Sequence, residues 1–181
     1  HSIIITWCNM TTHTTLQNVL DSGVKLTPMI EQYSGIKTAH MDKILLFRMG
    51  DFYEVFFEDA VKASQLLNIT LTFRGKIGDF RIPMAGIPHH AAGAYIDRLT
   101  AKGIKVAICE QVEDPKATKG IVKRAITQIA SPGLPYDLDK TESEHHWITC
   151  GFKENDNDFL IALDFTNGNF VGHKLKTKED F

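Results

Sequence analysis

The stretch Ile44–Phe57 reads ILLFRMGDFYEVFF, and the rest of the chain is organised around it. Ile44 to Met49 is an apolar run interrupted only by Arg48, long enough for a buried strand and too short to cross a bilayer. Gly50 and Asp51 then break it. When the chain resumes as FYEVFF, a strand repeat of two puts Phe52 and Glu54 on one face and Tyr53 and Val55 on the other. An aromatic ring beside a carboxylate, just after a glycine that admits a close backbone approach, suits a contact site. The same spacing also fits a core Phe next to a solvent-facing Glu, and periodicity alone leaves both readings open.

Working outward, Thr27 is a good N-cap, Pro28 fits the first helical position, and Ile30, Tyr33 and Ile36 share a face, which predicts a helix from Pro28 to about His40. Beyond the central stretch, Asp59 is expected to cap a helix AVKASQLLN with Ala60, Ala63 and Leu67 on one side, and Ile69–Phe73 alternates as a short strand. Arg74–His90, RGKIGDFRIPMAGIPHH, is rich in glycine and proline and reads as a surface loop with little regular structure. Its Arg74, Lys76 and Arg81 are candidates to neutralise phosphates, and Met84 to lie against sugar or base edges. A solvated loop carrying a few charges is the plainer alternative. His89 and His90 are adjacent, so they cannot converge on one metal as an i, i+4 pair would; they read as helix-entry residues. Ala92, Tyr95, Ile96 and Leu99 then mark an amphipathic helix that stops at Gly103. The segment IKVAICEQV follows as a strand with Cys109 as a small core residue, and DPKATKG as a turn. IVKRAITQIASPG is a further strand, in which Lys123 and Arg124 are available for phosphate contact. This order of helices and strands predicts an α/β fold, a sheet flanked by helices.

The flanks carry less information. HSIIITWCN is a poor signal peptide, and TTHTTLQNVLDSGVKL is polar and weakly periodic, so residues 1–26 read as a mobile arm or a non-native remnant such as upstream read-through. LPYDLDKTESEHH, residues 134–146, is the best linker candidate. WITCGFK, FLIALDF and NFVGHKL read as three strands joined by an NDND turn and a TNG turn, so that 147–181 opens a second domain. Charge divides along the same line: Thr27–Tyr136 holds 14 Lys and Arg against 11 Asp and Glu, whereas residues 137–181 hold 5 against 10. The basic excess permits nucleic acid without demanding it. Cys8, Cys109 and Cys150 lie far apart, which suggests a reducing compartment and neither a disulfide framework nor a zinc site.

TPMIEQY, LLFRMGDFYEVFFEDAVKASQLLNITLTFRG, IPMAGIPHHA, VAICEQVEDP and SPG occur in that order between Thr27 and Gly133. Together they resemble the N-terminal, mismatch-recognition domain of the MutS family of bacterial DNA mismatch repair proteins, and ALDFTNGNF is similar to the start of that family's RNase H-like connector domain. The resemblance implies a mixed β-sheet flanked by helices, followed by the first strands of a truncated RNase H-like α/β domain. It implies mismatched double-stranded DNA as partner. The family's Phe-x-Glu motif falls on Phe52 and Glu54, the ring stacking on a mispaired or unpaired base from the minor groove and the carboxylate hydrogen-bonding it. Met49, Arg74 and Met84 fall where the family lines the groove. No catalytic or metal-binding residue is implied for this stretch. The family's ATPase, with its ATP and Mg2+, lies further along, as does most of its dimer contact, and these 181 residues contain no GxxxxGK[ST] phosphate loop. A homodimer, a MutL-type repair partner and a bacterial cytoplasmic, nucleoid-associated setting without a membrane complete the expectation. Two rivals stand beside it: a metal nuclease built on Asp164, with Asp51 and Glu54 as a further pair, and a protein-interaction module built on the acidic tail.

Overall fold

The computed structural model describes residues 13–113, 120–134, 136, 147–164 and 168–175. The strand Ile44–Met49 (β1) lies at the centre of a six-stranded sheet. After the Gly50–Asp51 turn, Phe52–Phe56 (β2) returns antiparallel to it, with Met49 opposite Phe52. Thr72–Ile77 (β3) and Phe80–Pro88 (β4) form a hairpin beside β2, while Val106–Gln111 (β5) runs parallel to β1 and Arg124–Ala130 (β6) closes the far edge. The order β3-β4-β2-β1-β5-β6 therefore makes a mixed sheet. Trp147–Glu154 (β7), Asn157–Asp164 (β8) and Phe170–Leu175 (β9) form a separate three-stranded antiparallel sheet. Asn155 and Asp156 at its first turn both have positive φ, the conformation that a two-residue hairpin requires.

Both faces of the larger sheet carry a core. On one, Ile44, Leu46, Tyr53, Val55, Ala85 and Ile87 pack with Ala60, Ala63 and Leu67 of the helix Phe57–Leu67 (α3) and Ala92, Ile96 and Leu99 of the helix Ala92–Thr100 (α4). On the other, Leu45, Phe47, Phe56, Ile82 and Ala107 meet Ile30 and Tyr33 of the helix Pro28–Thr38 (α2), whose Thr27 hydroxyl accepts from the Ile30 amide as expected of an N-cap. His89 and His90 begin a short 3-10 turn that leads into α4.

Four expectations need correction. Residues 16–21 are not part of a mobile arm: Leu16–Asp21 is a helix (α1) whose Leu16 and Val19 are buried in the second core. Two apolar residues at i and i+3 leave little periodic signal, and tertiary burial supplies the rest. The strand expected at Ile69–Phe73 begins only at Thr72, and the expected loop Arg74–His90 is largely a hairpin. Gly75 and Gly78 take positive φ at a bulge and at the tip, and Pro83 lies opposite Phe73, next to that irregular edge strand. Asp59 does not cap α3. The helix starts at Phe57, where φ is +54°, a strained value for a bulky residue that costs ~1–3 kcal/mol and persists because the ring is buried against Tyr33. Asp59 instead turns inward to Lys37 and the Leu45 amide. Most of the turn at 114–120, most of the linker at 134–146, and Thr166–Asn167 of the TNG turn lie outside the described residues.

Candidate nucleic-acid interface

Period two along β2 sorts its side chains as the sequence required: Tyr53 and Val55 are buried beneath α3 and α4, and Phe52, Glu54 and Phe56 share the opposite face. That face is covered at only one end. Phe56 is fully buried against Tyr33 of α2, whereas Phe52, four residues earlier, is 49% exposed. The Phe52 ring rests above the neighbouring strand, where a Cβ added to Gly86 would meet it at 3.9 Å. Glu54 lies directly opposite Gly86 and Phe52 opposite Pro88. Beside the ring, Asp51, Pro88, His89 and His90 line an open cavity of about 340 Å³.

The turn that presents Phe52 is braced from both sides. Gly50 adopts φ +59°, its carbonyl accepts from Arg48 Nε at 2.5 Å, and the Asp51 carbonyl accepts from the His89 amide at 2.8 Å. On the α3/α4 side the Tyr53 hydroxyl donates to Glu110, which also pairs with Arg48 at 3.7 Å. Burial and then the Glu110 carboxylate push the Tyr53 phenol well above its ordinary range, so it stays a donor.

On the α2 side, Arg124 is buried. Its Nε donates to the Arg48 carbonyl at 2.6 Å and its Nη1 to the Val122 carbonyl at 2.9 Å and Gln32 Oε1 at 3.2 Å; Nη2 lies 3.3 Å from Met49 Sδ. The guanidinium also sits 4.9 Å from the Phe47 ring centroid. Desolvation lowers its pKa from the usual arginine value. Arg124 is thus a brace for the turn, not the surface phosphate contact that its place in a strand of mixed character suggested.

The other candidates divide cleanly. Met49 is half-buried opposite Phe52, Met84 is half-buried opposite Phe56, and Arg74 reaches across from β3 to form an ion pair with Glu54. Met49 thus lies beside the exposed end of β2, whereas Arg74 stands at its middle and Met84 at its buried end, packed against the second core. Lys76 lies opposite Arg81 near the hairpin tip, about 23 Å along β4 from the partner of Phe52. Lys123 is exposed in the segment entering β6, its backbone bonded to Val112 and Glu113. Glu54, half of the suggested Asp51–Glu54 metal pair, is engaged with Arg74, and among the described residues no group of three or more potential metal ligands converges. Asp164 is buried on β8. Among the described residues no helix is long and apolar enough to cross a membrane.

Sequence reading missed Gln32, Arg48 and Glu110 as bracing residues. Arg48 carried the one usable signal, a cation within an otherwise apolar strand, which calls for a buried partner.

Comparison with known proteins places the chain. The sequence profile of MutS domain I matches residues 27–139. The DNA mismatch repair protein MutS of Bacillus subtilis is 51% identical over 156 residues, that of Bacillus velezensis 50% over 155, and that of Desulfatibacillum aliphaticivorans 46% over 161. These alignments cover 85–87% of this chain and 18% of each relative, so the chain spans under a fifth of their length. With the profile covering more than half of its residues, the chain belongs to the MutS domain I family.

Proposed function

We propose that this chain recognises mismatched DNA in mismatch repair, with Phe52 as the wedge and Glu54 as its discriminating partner. The observation that carries the reading is the ring of Phe52, half exposed at the open end of β2, with a carboxylate two residues on and Met49 opposite it on β1. An apolar wedge unstacks a base step at a cost of a few kcal/mol, and that cost is lower where pairing is already defective. Kinking the duplex adds an elastic term of order 1–6 kcal/mol that a flexible site reduces. Recognition on these terms reads softness and tolerates many kinds of mispair. Glu54 adds a penalty of a different kind. A carboxylate near phosphates is repelled, and is compensated in full only when a displaced base offers it a donor.

The finer organisation belongs to the same proposal. Residues 27–133 act as the recognition unit, 134–146 as a linker, and 147–181 as the opening of an RNase H-like connector. In the full-length protein, ATP and Mg2+ are engaged by segments other than this one, which also carry most of the contact with a second protomer, and the protein binds a MutL-type partner.

The test is equilibrium binding to a duplex with one unpaired thymine and to its fully paired counterpart. Phe52→Ala should lose the preference through ~1–3 kcal/mol of lost stacking while melting as the parent does. A variant that keeps its preference would sink the wedge. Glu54→Ala should bind paired duplex more tightly and discriminate less; an unchanged ratio would remove Glu54 from the mechanism.

A further inference from the structure

Glu54 does not wait unpaired for a base. Its carboxylate, 16% exposed as a side chain, is held by Arg74 Nη1, and Arg74 itself is 39% exposed and reaches over the Phe56 ring at 6.0 Å. Arg124 is a second guanidinium near enough to interact electrostatically with both. The two arginines differ in freedom. Arg124 is locked by the Arg48 and Val122 carbonyls and Gln32, whereas Arg74 lies in the irregular stretch of edge strand β3 between Phe73 and Lys76, followed by Gly75 at φ +61°.

We infer that Arg74 is the resident competitor of the displaced base: it neutralises Glu54 while the chain rests on sound duplex and releases it when the wedge enters a defect. The inference rests on the role given to Glu54 above. With the pair closed, the guanidinium offsets part of the carboxylate's repulsion of the phosphates, so paired DNA is penalised less than a bare Glu54 would penalise it and is tolerated during search. With the wedge inserted, a base donor replaces the guanidinium at Glu54 and Arg74 turns to a phosphate oxygen, an exchange of one charge-assisted hydrogen bond for two. The specificity of the site is then set by the contest between an arginine and a base for one carboxylate.

The experiment is a double-mutant cycle in the full-length protein, using the unpaired-thymine duplex and its paired counterpart at several salt concentrations. Arg74→Gln removes the shield and the competitor together. It should raise the ratio of defect to paired affinity about two- to fivefold, the range of a partly exposed ion pair. The gain should come mainly from weaker paired binding. In the Glu54→Ala background the same substitution should leave the ratio unchanged. Loss of the phosphate contact should flatten the salt dependence of defect binding by about 0.9 in the log–log slope. If Glu54→Ala lowers the ratio but Arg74→Gln lowers it too, or leaves it where it was, Arg74 is an ordinary contact and the competition is wrong. If Glu54→Ala itself leaves the ratio unchanged, the role of Glu54 fails first and the competition falls with it.

Discussion

Two carboxylate–cation pairs in this chain differ in almost everything except chemistry. Lys37 and Asp59 meet at 2.8 Å with both side chains buried, and each has further partners: Lys37 Nζ also donates to the Lys43 carbonyl at 2.6 Å, and Asp59 accepts the Leu45 amide at 2.9 Å. They tie α2 and α3 to the start of β1. Arg74 and Glu54 meet with the guanidinium 39% exposed, Arg74 standing on the edge strand β3 where its register is interrupted. Position in the fold, and not the identity of the charges, decides that the first pair is a fastening and the second is exchangeable. A buried pair that loses one member leaves a charge with nowhere to go, whereas an exposed one falls back on solvent.

The largest expected effect tests the fastening. Lys37→Met strands the Asp59 carboxylate and the Lys43 carbonyl in the interior and should cost about 3–5 kcal/mol of stability, read by denaturant unfolding. A loss below ~1 kcal/mol would erase the distinction between the two pairs. Its pH dependence sharpens the same point. Burial, the largest influence, raises the Asp59 pKa, with Lys37 and the Leu45 amide opposing it. Because the folded form holds that proton more tightly, its contribution is fully present below the unfolded value of about 4 and is lost as pH rises through the folded value. The stability of the parent minus that of Asp59→Asn should therefore fall as pH is raised across this window. A rising difference would reverse the assignment.

The same contrast explains what could be read without coordinates. The strand Ile44–Met49, the helix opened by Thr27 and Pro28, and the opposite facing of Phe52 and Tyr53 all follow from local rules: capping, fixed φ, and a side-chain repeat of two. The site was legible to that depth, since the parity that sends Tyr53 to one face must send Phe52 and Glu54 to the other, but that this other face stays open at Phe52 and closes at Phe56 was not. The hairpin over 72–88 was not legible, because glycine and proline signal a turn wherever they occur and do not disclose that a bulge and an edge position absorb them. Asp59 and Arg124 were misplaced for one shared reason. A short acidic residue before a helix reads as a cap and a cation next to Lys123 in a strand reads as available to phosphate, and only the partners that surround them, from segments 22 and 76 residues away, say otherwise.

Arg124→Met tests the intermediate case, a buried cation bonded to carbonyls and an amide, with no carboxylate on it among the described residues. It removes the guanidinium donors from the Arg48 and Val122 carbonyls and from Gln32 Oε1, of which the Val122 carbonyl keeps Gln32 Nε2 at 3.3 Å, and about 2 kcal/mol of stability should go with them. Because Arg124 braces the turn from one side only, defect binding should also weaken while Phe52 remains in place. A fully stable Arg124→Met protein would return Arg124 to the surface role that the sequence first suggested.

The smallest effect is the most diagnostic, because it is a difference that must disappear. Arg74→Gln should change the stability of the DNA-free chain by no more than about 1 kcal/mol, since the pair it removes is partly hydrated and the freed carboxylate can recover water. Salt then separates the two pairs. At 1 M ionic strength the screening length is about 3 Å, so the stability gap between Arg74→Gln and the parent should close. The gap produced by Lys37→Met should persist, because no ion can approach a pair sealed between α2, α3 and β1. A gap at Arg74 that survives high salt would mean that the Glu54 pair is as enclosed as the buried one, and a carboxylate so enclosed could not be surrendered to a base.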